Sequence, residues 1–199
     1  MIELMMSLAV MTVGAAALFS LQGFIAHANL YSRRVTQATE ITDRWVERLK
    51  ADALLWNQPG AAGVAGTTYL NLIGGAAGQW LQVVANLDNQ VNATLGHSAA
   101  ADLYGRDVIP LEAAAQPRIT FCTHYRLNWL VDPASDTSLR AEVRVFWPKQ
   151  GTGITLATAS PLCAMTANGT LDLSNPVDGI DDFHAVYATT IIRYNPLTH

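Results

Sequence analysis

Between Leu4 and Ser32 the chain carries no Asp, Glu, Lys or Arg. That run of 29 residues exceeds the ~20 needed to cross a hydrocarbon core as a helix. Ala, Leu and Met dominate it, and all three favour helix. The first reading is therefore a membrane-spanning helix, and three rivals stand beside it. A buried core helix of this length and uniformity does not suit the single small domain that 199 residues allow. A cleaved secretory signal is the stronger rival, because Ala26-His27-Ala28 has the shape of a cleavage site. Against it, no Lys or Arg precedes the run in this sequence, and the run is long for the apolar core of a signal. A plain membrane anchor explains the length but gives no reason for Glu3.

Composition narrows the function classes. Charged residues make up 14% of the chain, and the mean hydropathy is +0.18, with the apolar excess at one end. A net charge of -4 and a pI near 5.6 leave no basic footprint, so nucleic acid is not an expected partner. No fixed-period repeat and no charge block is present. Residues 59–75 are rich in Gly, Ala and Thr and read as a loop-rich connector.

Glu3 is the odd residue, since a carboxylate at the edge of an apolar segment is costly in lipid unless it reaches the surface, is protonated or finds a partner. Its neighbours matter. The run Met1-Ile2-Glu3-Leu4-Met5-Met6-Ser7-Leu8-Ala9-Val10-Met11-Thr12-Val13-Gly14 resembles the start of type IV prepilins and type II secretion pseudopilins. The resemblance covers about the first 30 residues and rests on Ile2-Glu3-Leu4 and the small and apolar residues behind it. The family's basic leader and its terminal Gly do not precede Ile2 here, and the expectation is that Met1 is an internal Met of a longer reading frame. In this family the carboxylate that Glu3 matches faces the N-terminal ammonium of a neighbouring subunit. Two opposite charges in an apolar filament core offset a desolvation cost that neither bears alone. The resemblance thus implies an assembly role for Glu3 and reaches no further; the small residues Gly14, Ala15, Ala16 and Ala17 are expected to allow close packing against other helices.

After Ser32 the character changes without a break in helical propensity. Arg33 and Arg34 mark an interface. Tyr31, Val35, Ala38, Thr42, Trp45, Leu49, Ala53 and Trp56 then recur at spacings of three and four, one apolar stripe of an amphipathic helix. Glu40, Asp43, Arg44, Glu47, Arg48 and Lys50 fall mainly off the stripe, with Glu40 and Arg44 one turn apart. Asn57, Pro59 and Gly60 stop the helix. Three parts are expected: a membrane or filament-core helix over 1–32, an amphipathic half over 33–57, and a β-rich domain over 58–199. Trp45 and Trp56 read as core anchors.

Period-two alternation carries the rest. Residues 118–131 place Ile119, Phe121, Tyr125, Leu127, Trp129 and Val131 against Cys122, His124, Arg126 and Asn128. Residues 139–147 place Leu139, Ala141, Val143, Val145 and Trp147 against Arg140, Glu142 and Arg144. Antiparallel strands with one wet face are predicted, joined by a turn at 132–136. Further strands are predicted at 79–87, 154–160 and 183–194. The fold class is α+β: a long N-terminal helix packed on an antiparallel sheet, the layout of pilin-like subunits. The segment 140–160 also resembles, more weakly, the central hairpin of minor pilins of the PilV type.

The two cysteines, Cys122 and Cys163, are expected to form a disulfide in an oxidising compartment. The preference rests on Cys122 lying on the polar side of its strand, where a free thiol would be exposed; the alternative is two buried free thiols. His27, His97, His124, His184 and His199 are scattered, and no nucleophile, phosphate-loop or zinc motif appears. Asp178, Asp181 and Asp182 near Gly179 lack calcium-loop spacing and read as a solvated turn. No enzyme, cofactor or metal is expected. The resemblance implies a minor pilin that helps initiate or cap a pilus. It would sit in the inner membrane with its domain in the periplasm, then in the pilus near its tip. Its partners would be other minor pilins, the major pilin and a large tip adhesin. The alternatives are a secretion pseudopilin and a binding protein on an uncleaved signal anchor.

Overall fold

The computed structural model describes residues 2–58, 63–82, 99–107, 120–130, 138–149 and 183–194. It has an α+β architecture, one long N-terminal helix packed on a five-stranded antiparallel sheet. Helix α1 is Ile2–Trp56, a short α2 is Ile73–Ala76, and the strands are β1 Trp80–Gln82, β2 Ala100–Ala101, β3 Phe121–Trp129, β4 Ser138–Pro148 and β5 Phe183–Arg193. The chain divides into two compact units, Met1–Thr36 and Gln37–His199.

In the first unit the helix is maintained by its backbone and by local side-chain bonds. Ser7 Oγ donates to the carbonyls of Glu3 and Leu4, and Thr12 Oγ1 to that of Ala9. Such back-bonding keeps these hydroxyls satisfied in a largely apolar stretch. Every residue from Ile2 to Ser32 is exposed.

The second unit holds the core. The predicted stripe is buried from Ala38 onward, joined by Ile41, Val46 and Asp52, which the spacing argument did not include. Tyr31 lies in the first unit and is exposed. Trp56 sits edge-on to Trp129 of β3 at 6.2 Å and stacks on Tyr194 at 5.4 Å. Trp45 meets Tyr69 edge-on at 5.8 Å. These rings explain why the stripe needs two tryptophans: each buries a large apolar area and fixes an angle between elements. The off-stripe charges pair as expected for one helical turn, Arg44 with Glu40 at 3.3 Å and Lys50 with Glu47 at 2.7 Å.

β3 and β4 pair from Cys122↔Phe146 to Trp129↔Leu139, and β4 and β5 from Ser138↔Arg193 to Pro148↔Phe183. β1 and β2 share the other edge of β3. Phe121, Thr123, Tyr125, Leu127 and Trp129 therefore share one face with Val143, Val145 and Trp147 of β4. A tight turn brings the chain into β1: Gly78, with φ +79, donates its N–H to the Leu127 carbonyl at 2.8 Å. A Cβ there would stand 3.2 Å from Asn128 Oδ1, so a larger residue would be strained twice over.

One expectation needs correction. The opposite face of β3 and β4 is not uniformly wet, because Cys122, His124, Arg144 and Phe146 are all buried there. Alternation reports residue polarity, and the rings of Trp80 and Phe146 shield polar groups that the pattern assigns to solvent. Within the connector read at 59–75, the described residues form 3-10 turns at Gly63–Gly66 and Leu70–Leu72, then α2. β2 was not foreseen, since two alanines carry no period. The strand predicted at 79–87 is described only as β1. The turn at 132–136, the strand at 154–160, the aspartates of 178–182, His97 and His199 lie outside the described residues.

Candidate assembly site

The residues singled out for assembly lie on the first unit. Glu3 is in the first turn of α1 and is exposed. It forms no ion pair among the described residues. Gly14, Ala15, Ala16 and Ala17 follow about 16 Å farther along the helix at 1.5 Å per residue, also exposed, and an added Cβ on Gly14 would meet nothing within 4 Å. The structure does not bring Glu3 and the small-residue run together. Between and beyond them Leu4, Met5, Met6, Leu8, Val10, Met11, Val13, Leu18, Phe19, Phe24 and Ile25 are all exposed. Contiguous apolar surface of this extent is foreign to a monomer in water and marks a membrane or an assembly contact. Among the described residues this is the one helix long and apolar enough to cross a membrane. Apolar on all sides, it has no preferred face for a single partner.

Glu3 has one chemical capacity in that setting. It is the lone acid in a segment of otherwise neutral residues. In lipid or protein it must pair with a cation, reach water or take up a proton. A cation supplied by another chain would make it a register mark, because an apolar surface alone allows helices to slide past one another.

The second unit contains a different polar device. Asp52 sits on the apolar stripe and is buried. Its carboxylate accepts the backbone N–H groups of Thr68, Tyr69 and Leu70 at 2.7, 2.8 and 3.0 Å. Three donors at the start of the Leu70–Leu72 turn are thereby satisfied, and the connector is tied to the helix. Tyr125 extends the network, its hydroxyl donating to the Tyr69 carbonyl at 3.2 Å. Burial pushes the Tyr69 phenol above its ordinary value, partly opposed by the cation of Arg48. Burial pushes Tyr125 up much farther, with the negative charge of Asp52 acting in the same direction. Arg48 bonds Asp107 at 2.7 Å and lies over the Trp45 ring, 4.4 Å from its centre. Arg44 donates to the Gly105 carbonyl at 2.9 Å. Sequence reasoning missed this network. Its signal was available, since Asp52 is a carboxylate between Leu49 and Trp56 on an apolar stripe.

On the outer face of the sheet, Arg144 is fully buried. Its guanidinium lies over Trp80, 4.2 Å from the ring centre, and its Nη2 is 3.2 Å from His124 Nδ1. A guanidinium can only donate, so Nδ1 accepts. Arg126 stacks on the same indole at 4.6 Å and pairs with Glu142, whose other oxygen takes Arg140 at 2.6 Å. Aromatic and carboxylate partners make these cations part of the packing, and no cluster of metal-binding side chains occurs among the described residues. Cys122 is disulfide-bonded and buried beside this cluster. Its burial corrects the premise that a free thiol there would face solvent. Cys163 lies outside the described residues.

Comparison of the chain with protein-family models, with curated proteins and with solved structures finds no match.

Proposed function

We propose that this chain is a minor pilin, a structural subunit of a type IV pilus. Its apolar helix is held in the inner membrane, with the second unit in the periplasm, and then packs into the filament near the tip. Other minor pilins, the major pilin and a large tip adhesin are its neighbours there, and the subunit helps to initiate assembly. It works by contact and turns over no substrate. One observation carries the reading: an exposed, all-round apolar helix bearing the single carboxylate Glu3 continues into a half that packs on an antiparallel sheet. A membrane accounts for the apolar surface. It does not account for Glu3, whereas a neighbouring subunit's ammonium does.

The test uses Glu3→Ala in the full chain. The variant is expected to enter membranes as the wild type does and to be strongly depleted from sheared filaments. Equal recovery from filaments would refute the assembly role. Deleting the gene should reduce pilus number and twitching motility. A loss of protein secretion with pili intact would assign the chain to a secretion pseudopilus. No effect on either, with no pilin-like chain retained by the tagged protein, would leave a signal-anchored binding protein.

A further inference from the structure

Arg44, Arg48, Arg126, Arg140 and Arg144 each find a partner within the chain, in Glu40, Asp107, Glu142 or the Trp80 ring. Arg33 and Arg34 do not. Arg33 is exposed and Arg34 half-buried, and neither side chain forms an ion pair or hydrogen bond among the described residues. The sequence explains why. Side chains on a helix meet their neighbours one turn away. The positions one turn from these arginines are Asn29, Leu30, Tyr31, Thr36, Gln37 and Ala38, and none is acidic. The nearest acid along the helix is Glu40, which is held by Arg44.

Their place on the helix supplies a partner. The two arginines follow directly on the uncharged run 4–32, whose 29 residues extend about 43 Å at 1.5 Å per residue. A hydrocarbon core is about 30 Å thick, and a bilayer with its headgroups about 40–45 Å. Tilt alone does not bring the run inside the hydrocarbon, since the angle needed is about 45° and helices tilt by about 0–40°. The run therefore reaches into the headgroup layers, and Arg33 and Arg34 stand at the phosphates of the leaflet on its C-terminal side. Tyr31, about half exposed, is a residue type that settles in the same layer. A guanidinium presents paired N–H donors in the geometry of a phosphate. In a zwitterionic lipid the phosphate is opposed by the lipid's own ammonium; in an acidic lipid it is not. Two unopposed cations on adjacent residues favour the acidic headgroup.

We propose that Arg33 and Arg34 bind the phosphates of acidic phospholipids and fix the depth of the subunit in the membrane before assembly. The inference rests on the membrane half of the proposed function and is independent of the filament half. Leaving the membrane breaks these contacts, so they oppose release of the subunit until a filament offers other partners.

The test places the full-length chain in bilayers of phosphatidylcholine containing phosphatidylglycerol. Spin-labelled forms of the two lipids report which one the protein immobilises. The wild type should prefer phosphatidylglycerol by about fivefold or more, and raised salt should weaken the preference. Arg33→Gln with Arg34→Gln should bring it to parity, and the corresponding pair of Lys substitutions should retain part of it. Arg193→Gln, an exposed cation away from the span, should leave it unchanged. Parity in the wild type, or an undiminished preference in the double Gln variant, would overturn the contact. Loss of the preference in excess inorganic phosphate at constant ionic strength would make the arginines a site for a soluble anion and overturn it too. A chain that washes off vesicles in alkaline carbonate would remove the membrane span and the contact together. A lipid preference that depends on the arginines, in a chain that never reaches filaments, would support the contact and remove the pilin reading.

Discussion

Helix α1 is one hydrogen-bonded element with two chemistries. Over residues 2–32 every described side chain is exposed, whatever its type. Over residues 38–56 exposure follows the helical period, and Ala38, Ile41, Trp45, Leu49, Ala53 and Trp56 are buried. Backbone geometry therefore does not distinguish the halves; partners do. The second half finds its partners within its own chain, in Tyr69, Trp129 and Tyr194. The first half must find them in lipid or in other chains, because its apolar surface is complete on all sides. Polar groups differ in the same way. Asp52 is buried and accepts three N–H groups, whereas Glu3 is exposed and has no ion-pair partner among the described residues.

The largest test of this contrast is removal of residues 1–28. The chain should move from the membrane pellet to the soluble fraction, with its strand signal in circular dichroism retained, since the deleted segment contributes nothing to the core. Precipitation or loss of that signal would mean the halves depend on each other. In the soluble form, Trp56→Ala should cost about 3–5 kcal/mol, read by urea unfolding, because it empties the space between Trp129 and Tyr194. A cost below about 1 kcal/mol would show that the helix end packs loosely.

Asp52→Ala should cost about 2–4 kcal/mol, since three N–H groups at the connector lose their acceptor, two of them buried with only partial access to water. Asp52→Asn, which keeps an accepting oxygen, should recover part of it. The smallest effect concerns alkali. Tyr69 and Tyr125 hold their protons in the folded state above the ordinary phenol value of 10.0. Between that value and their raised values the folded chain binds more protons than the unfolded one. Stability is full below about pH 10 and falls as pH rises beyond it. The melting temperature of the soluble form should drop from pH 9 to pH 11, and Tyr125→Phe should flatten the drop while costing about 1 kcal/mol at neutral pH for the lost bond to Tyr69. An unchanged slope in that variant would place the alkaline sensitivity elsewhere.

Local pattern was enough to read the helix, its stop near Asn57 and the strands at 121–129, 138–148 and 183–193, because periods of 3.6 and 2 are written in consecutive residues. The uncharged run and Glu3 were equally legible, being matters of residue type and position alone. Pairing across distance was not legible. That Asp52 would cap residues 68–70, that Arg48 would reach Asp107, and that Arg144 would be buried under Trp80 depend on which segments come together, and their sequence separations carry no period. The polar alternation of β4 reads the same whether Arg144 faces water or an indole. Burial is a property of what lies opposite a side chain, so only the tertiary structure could decide it.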